Sequence, residues 1–239
     1  MNARSLRKRL AGRAASRYRA GDLWAYYFAL CKLRNDPFYS VLLAEGWIPP
    51  HARILDLGCA QGLLAAWLLA AQESHAAGVW DSTCPAPVSI ASYRGIDRSA
   101  AEIRRAQQAL GGHAEFAVGD MAHADLSGAT LIVLLDVLHY LDYAAQRNFL
   151  LGIRAALPAD GMLLMRIGDS DGSMSARISG WVDRLVVRLR SSGDGALCRR
   201  PLKEWLALLE EIGFRVQEVA RQRSLGYVNC LLRALPAPR

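Results

Sequence analysis

Short apolar runs alternate along this chain with longer segments that have the composition of helices. Residues 54–57 form one such run; a loop with glycine at positions 58 and 62 follows, and then come strong helix formers with no breaker. The predicted strands at 92–97 and 130–135 are likewise followed by helical segments. This alternation predicts an α/β fold built on a mainly parallel sheet.

The two ends of the chain have different patterns. Residues 1–35 are predicted to be helical, with a basic first part and an aromatic second part for which Asp22 is the expected N-cap. A short helix is predicted at 38–47, so residues 1–49 are interpreted as a helical arm and lid, and residues 50–239 as the main domain. Within that domain, residues 170–200 are an insertion with helical spacing, expected to cap the acceptor site.

The C-terminal part predicts a helix and a hairpin. Residues 201–214 are amphipathic, with proline early and glycine near the end, which is typical of a helix. Residues 215–221 and 227–235 alternate between polar and apolar positions and predict two final antiparallel strands.

Composition and charge narrow the possible functions. The 239 residues are 52% apolar and 21% charged, as in soluble globular proteins. Five scattered cysteines without a C-x-x-C pair favour a reducing, cytoplasmic compartment and argue against a zinc site. The net charge of +7 includes seven basic residues among the first 19. This arm is expected either to meet an anionic partner or to be solvated and partly disordered.

The glycine loop is the candidate cofactor site. Asp56, Gly58, Ala60 and Gly62 read D-x-G-x-A-x-G, a spacing that fits poorly with the G-x-G-x-x-G of dinucleotide sites. It resembles the D-x-G-x-G-x-G loop of class I S-adenosylmethionine (SAM)-dependent methyltransferases; an ordinary turn is the alternative. The resemblance implies a Rossmann-like fold with a seven-stranded, mostly parallel sheet and an antiparallel C-terminal hairpin. It also implies SAM as cofactor and S-adenosylhomocysteine (SAH) as product.

Further polar residues follow the neighbouring strands. Asp97 ends the second strand, where nucleotide sites bind ribose hydroxyls, because one carboxylate accepts two such hydrogen bonds. A solvent-facing acid is the alternative. In the family that the loop resembles, residues after the third strand contact adenine, and Asp120 and Met121 match them by position. The predicted cofactor-binding residues are Asp56, Gly58, Cys59, Ala60, Gly62, Asp97, Arg98, Gly119, Asp120, Met121 and Asp136. Cys59 is interpreted as a packing residue of the loop rather than a nucleophile.

The segment after the fourth strand supplies the candidate catalytic residues. Residues 136–141 read D-V-L-H-Y-L and resemble the fourth-strand motif of small-molecule class I methyltransferases. Ligands of open α/β sheets bind at the carboxyl ends of strands, so His139 and Tyr140 are expected near the transferred methyl group. His139 is the candidate general base, because imidazole titrates near neutrality; a structural histidine is the alternative. Asp169, at the end of the fifth strand, is a further candidate.

Four segments, 32–39, 92–97, 135–146 and 198–206, resemble methyltransferases of bacterial aryl-polyene and aryl-lipid pathways. That resemblance implies methylation of an aromatic carbon or phenol oxygen on a lipid-like or carrier-protein-bound acid. The alternatives are a quinone or lipid methyltransferase with its basic arm at the inner membrane, an RNA methyltransferase, and a non-catalytic SAM-binding protein. A nucleic-acid partner is not expected, because the chain has no N-P-P-Y-like motif and no separate RNA-binding module. No cluster of carboxylates stands out in the sequence, so a metal ion is not expected.

Overall fold

Seven strands form one sheet in the computed structural model, which describes residues 3–168, 198–224 and 227–238. The strands are β1 Arg53–Leu57, β2 Ser92–Asp97, β3 Glu115–Val118, β4 Leu131–Leu135, β5 Met162–Gly168, β6 Phe214–Ser224 and β7 Tyr227–Pro236. Their order is β3-β2-β1-β4-β5-β7-β6. β2 pairs in parallel with β1 and β3, whereas β7 is antiparallel to both β5 and β6. The predicted fold, a mostly parallel sheet with an antiparallel C-terminal hairpin, is confirmed.

Seven helices accompany the strands in the described part of the chain. They are α1 Ala3–Ser16, α2 Leu23–Asn35, α3 Pro37–Glu45, α4 Leu63–Ala76, α5 Ala100–Leu110, α6 Tyr143–Ala156 and α7 Leu202–Glu211. Asp22 caps α2 by accepting hydrogen bonds from the backbone N–H groups of Trp24 and Ala25 at 2.9 and 3.1 Å, as predicted. None of these helices is long and apolar enough to cross a membrane.

By its contacts the chain divides into two units, Met1–Ile132 and Val133–Arg239. The first contains the three N-terminal helices together with the glycine loop. The second contains β5, the hairpin and α7, whose Trp205 and Leu209 are buried. The domain boundary expected between residues 49 and 50 stays a prediction. Asp169 and most of the predicted cap at 170–200 lie outside the described residues.

The basic N-terminal arm forms helix α1 over residues 3–16. Apolar residues at regular helical spacing along α1 are fully buried: Leu6, Leu10, Ala11, Ala14 and Ala15. Arg13 and Arg17 both form ion pairs with Glu73 of α4, and Arg7 donates to the carbonyl oxygen of Asp36 at 2.7 Å. The expectation of partial disorder is therefore wrong for residues 3–16, whereas the side chains of Arg4, Lys8 and Arg9 are exposed as a solvated face would be. The apolar stripe, rather than the charge run, determines where this helix packs.

α2 buries one face. Ala25, Ala29 and Leu33 are buried. The opposite face presents large apolar side chains, which are more than half exposed: Leu23, Trp24 and Tyr27. Trp24 stacks on Phe28 at a ring-centroid distance of 5.2 Å and lies 4.9 Å from the guanidinium of Arg105 in α5. α2 thus leaves an aromatic surface facing solvent in the first unit.

Candidate functional site

The loop after β1 is built on left-handed backbone. Gly58, Ala60 and Gly62 have φ values of 80°, 47° and 78°. The N–H groups of Gly58 and Cys59 both donate to the carbonyl oxygen of Ile96, at 2.8 and 3.1 Å, so the loop is fastened to β2. Ala60 occupies the position at which the methyltransferase loop has its middle glycine, and it adopts the left-handed conformation that such a glycine would favour.

Two glycines allow the close packing around this loop. A Cβ atom on Gly62 would lie 2.9 Å from the ring of Phe116. A Cβ atom on Gly95, in β2, would lie 2.7 Å from the same ring and 2.8 Å from the sulfur of Cys59. Both positions therefore exclude a side chain. Gly95 was not identified from the sequence, because a glycine inside a strand pattern does not by itself reveal what approaches it.

Asp97 connects the glycine loop to α5. Its Oδ2 accepts a hydrogen bond from the N–H of Ala60 at 2.9 Å, and its Oδ1 accepts one from the N–H of Ser99 at 2.8 Å. Ser99 in turn caps α5. A carboxylate offers about four lone-pair sites, so two remain for a ligand. The geometry thus adds a role that the sequence did not predict: Asp97 fixes the loop and keeps acceptor capacity.

Asp56 is buried behind a hydrogen bond from Tyr93. The phenol of Tyr93 donates to Asp56 Oδ2, and both side chains are almost completely buried. Burial raises the pKa of Asp56 to about 7, although the hydrogen bond from Tyr93 opposes this rise. Burial also raises the pKa of Tyr93, which therefore keeps its proton. Asp56 was predicted to bind cofactor; the structure gives its carboxyl a partner within the protein.

This buried carboxyl leads to a pH prediction. In the folded chain Asp56 keeps its proton up to about pH 7, whereas in the unfolded chain it ionises near pH 4. Its contribution to the free energy of unfolding is therefore fully present below about pH 4 and is lost as the pH rises through about 7. We expect urea denaturation between about pH 5 and 8 to show this loss in the wild type and a flatter profile in D56N.

The matched control is D160N, which makes the same change at an exposed turn residue. D160N should follow the wild type across the pH range. Parallel profiles for D56N and the wild type would contradict the raised pKa.

Cys59 has the properties of a packing residue. Its thiol is buried against Gly95, and burial, together with the nearby charges of Asp56 and Asp97, raises its pKa. A protonated, buried thiol is a poor nucleophile. This environment agrees with the interpretation made from the sequence.

The N-terminal helices hold the glycine loop from its other end. Gln61 is fully buried and donates through Nε2 to the carbonyl oxygen of Ala25 in α2, at 3.2 Å. The hydroxyl of Tyr18 donates to the carbonyl oxygen of Gln61 at 2.8 Å. The role of Tyr18 could not be predicted, because it lies between two arginines and gives no separate signal in the sequence.

The residues predicted to contact adenine lie at the end of β3. Asp120 accepts the N–H of Ala122 at 2.9 Å, and its other oxygen is 4.0 Å from Nε of the exposed Arg98. The N–H of Gly119 donates to the carbonyl oxygen of Asp97 at 3.0 Å. The first unit therefore brings Arg98, Gly119 and Asp120 to the same strand ends as Asp97. In the described ranges no group of three or more acidic, histidine or cysteine side chains is arranged to hold a metal ion.

In the second unit, Asp136 has a partner that was not predicted from the sequence. Its backbone has φ of 58°, which is uncommon outside glycine. Its carboxylate accepts hydrogen bonds from both Nε and Nη2 of Arg166, a buried residue of β5, and the Nε–Oδ1 distance is 3.0 Å. The available signal was Arg166 itself, a charge inside an otherwise apolar strand, because buried charges are nearly always paired. Asp136 was predicted to bind cofactor, and in the second unit its carboxylate is oriented by this ion pair.

The two members of this pair should have unequal effects on stability. D136N removes the negative charge opposite a buried guanidinium and is expected to lower the free energy of unfolding by about 2 kcal/mol, less than the ~3–5 kcal/mol of a fully buried pair. R166M should cost less, because the side chain of Asp136 is 36% exposed and regains water. Urea denaturation of both variants tests this order. A larger loss for R166M than for D136N would contradict it.

His139 and Tyr140 lie in the turn Leu138–Tyr140 that precedes α6. Their ring centroids are 4.3 Å apart, and Tyr140 is 55% exposed. The carbonyl oxygen of His139 accepts the N–H of Cys198 at 2.9 Å. The structure therefore places the candidate base on a short turn whose backbone is bound by a distant segment of the same unit.

Comparison with known proteins agrees with this architecture. Residues 24–219 match the family model described as a methyltransferase domain. A search of curated protein sequences gives no significant match.

Solved structures resemble the chain in fold. Magnesium protoporphyrin IX methyltransferase from Synechocystis PCC 6803, with bound SAH, has a TM-score of 0.60 at 17% identity, covering 98% of this chain and 99% of that one. The pyocyanin biosynthetic protein PhzM has a TM-score of 0.59 at 19% identity, covering 94% and 62%. LepI, in complex with SAH and a substrate analogue, has a TM-score of 0.56 at 16% identity, covering 89% and 52%.

Proposed function

We propose, because this chain belongs to the methyltransferase family, that it transfers the methyl group of SAM to a small aromatic acceptor. The observation that carries the proposal is the double role of Asp97, whose carboxylate fixes the N–H of Ala60 and retains acceptor sites. Structural neighbours with SAM or SAH bound support the choice of cofactor.

The residues of the first unit fit the chemistry of SAM. Its ribose hydroxyls need acceptors, which Asp97 offers. Its methionine part needs to approach the backbone closely, and the left-handed loop permits this because Gly58 and Gly62 have no side chains. Asp120 and Met121 are partly exposed and remain the expected contacts for adenine.

SAM supplies an electrophilic methyl group on a sulfonium. His139 would take the proton that a phenol or an activated ring carbon loses when it is methylated. The exposed ring of Tyr140, beside His139, is a surface on which a flat acceptor can stack. Two structural neighbours are named for magnesium protoporphyrin IX and for pyocyanin biosynthesis, and the resemblance to aryl-pathway enzymes points to the same acceptor class.

A quinone or lipid acceptor is the second candidate, favoured by the exposed apolar face of α2. An RNA acceptor has less support, because Arg7, Arg13 and Arg17 of the basic arm already bind groups of this protein.

The test begins with calorimetric titration of SAM and SAH. Absence of binding would overturn the proposal. The purified protein is then incubated with methyl-labelled SAM and an extract of the source cells, sorted into RNA, protein, lipid and small-molecule fractions. Label in small aromatic compounds, free or released from a carrier by thioester cleavage, is expected. Label in RNA with a steep loss at high salt would contradict it, and label in the lipid fraction would favour the second candidate.

A further inference from the structure

A buried amide in α6 contacts the turn that carries His139. Gln146 is fully buried, although its side chain is polar. Its Nε2 lies within hydrogen-bond distance of three carbonyl oxygens, at 3.1, 3.0 and 2.8 Å, belonging to Leu138, Leu141 and Cys198. The amide has two hydrogens, so the three carbonyls share them. One side chain therefore binds both the turn Leu138–Tyr140 and a segment more than 50 residues later in the sequence.

Arg200 holds the other side of this amide. Its Nε donates to Oε1 of Gln146 at 2.8 Å, and its Nη2 donates to the carbonyl oxygen of Tyr143 at 3.0 Å. The guanidinium lies 4.4 Å from the ring centre of Tyr143 and 5.8 Å from that of the buried Trp205. Since both the donor and the acceptor atoms of Gln146 are engaged, its orientation is fixed.

The backbone completes the connection. The N–H of Cys198 donates to the carbonyl oxygen of His139 at 2.9 Å, and the hydroxyl of Tyr143 donates to the carbonyl oxygen of Arg199 at 3.1 Å. The position of His139 thus depends on residues 198–200 through its own carbonyl and through Gln146.

We infer that Gln146 and Arg200 form a clamp that positions His139 for proton transfer by joining the turn Leu138–Tyr140 to residues 198–200. The clamp rests on the proposed role of His139. Gln146 acts through the turn and is a positioning residue. The clamp explains why a polar side chain is buried here. A buried amide with unsatisfied atoms is costly, so without these hydrogen bonds an apolar side chain would fill the space.

Q146E tests the donor half of the clamp, because it replaces the NH₂ group, whose two hydrogens the three carbonyls share, with an oxygen that carries at most one. R200M tests the acceptor half, and it keeps the proposal testable if Q146E fails to fold. The matched control is N148D, the same amide-to-acid change at an exposed position of α6.

The first readout needs no acceptor. By NMR, the amide of Cys198 and the amides of residues 138–141 should exchange with solvent about tenfold faster in both test variants, and the imidazole signals of His139 should shift. N148D should leave both unchanged. Faster exchange in only one of the two segments, or unchanged His139 signals, would overturn the clamp.

The second readout is kinetic. With the acceptor found by labelling, kcat should fall about tenfold or more in Q146E and R200M, since misplacing a reacting group costs up to about 100-fold. The Kd of SAM should stay within about twofold of the wild-type value. A wild-type protein that does not bind SAM refutes the proposed function while the NMR readout still decides the clamp. Test variants with the kcat of N148D refute the clamp and leave the function standing.

Discussion

Replacing His139 with alanine is expected to lower kcat about 100-fold while leaving the Kd of SAM unchanged. A general base contributes typically ~10²–10⁴-fold, and its removal affects the chemical step rather than cofactor binding. The lower end is expected, because methyl transfer from a sulfonium is downhill and positioning supplies part of the rate. Single-turnover transfer of labelled methyl measures the effect on chemistry.

The control for this substitution is H123A, which removes the same side chain from an exposed turn. H123A should keep wild-type kcat. The pH–rate profile is the second measurement: the rise in rate with pH that a base produces should be present in the wild type and absent in H139A. If H139A retains wild-type turnover, His139 is structural and the proton goes to another group or to water.

Much of the fold could be predicted from the sequence, because its signals are local. Three features can be recognised from a few neighbouring residues: the apolar run of β1, the glycines after it and the cap at Asp22. All three occur as expected. The strands after them follow from periodicity. Helix α1 was harder: its buried stripe was present, but the charge run suggested solvent.

The partners of the site residues could not be predicted, because they come from distant parts of the sequence. Tyr93 is 37 residues from Asp56, and Arg166 is 30 residues from Asp136. Periodicity identifies which face of an element is buried, but it does not pair one side chain with another. Only Arg166 gave a hint, as a charge in an apolar strand, and it indicated that a partner exists without indicating which one.

Replacing Asp97 with alanine is expected to raise the Kd of SAM between about fivefold and 150-fold. The range corresponds to the loss of about 1–3 kcal/mol when a charged hydrogen-bond acceptor is removed. Two effects contribute: the ribose hydroxyls lose their acceptor, and the N–H groups of Ala60 and Ser99 lose the carboxylate that holds the loop. Calorimetric titration of SAM into D97A measures the sum. D125A is the matched control, because Asp125 also accepts the N–H of the residue two positions later, in an exposed turn.

A thermodynamic cycle separates the two contributions of Asp97. SAH and an analogue of SAH that lacks both ribose hydroxyls are titrated into the wild type and D97A. If Asp97 binds the ribose, the wild type discriminates against the analogue and D97A does so much less, because the deleted groups were each other's partners. If Asp97 only holds the loop at Ala60, both proteins discriminate equally and D97A binds both ligands more weakly. The first outcome is expected, because two of the four lone-pair sites of the carboxylate are used within the protein and a half-buried acceptor is best satisfied by a ligand hydroxyl.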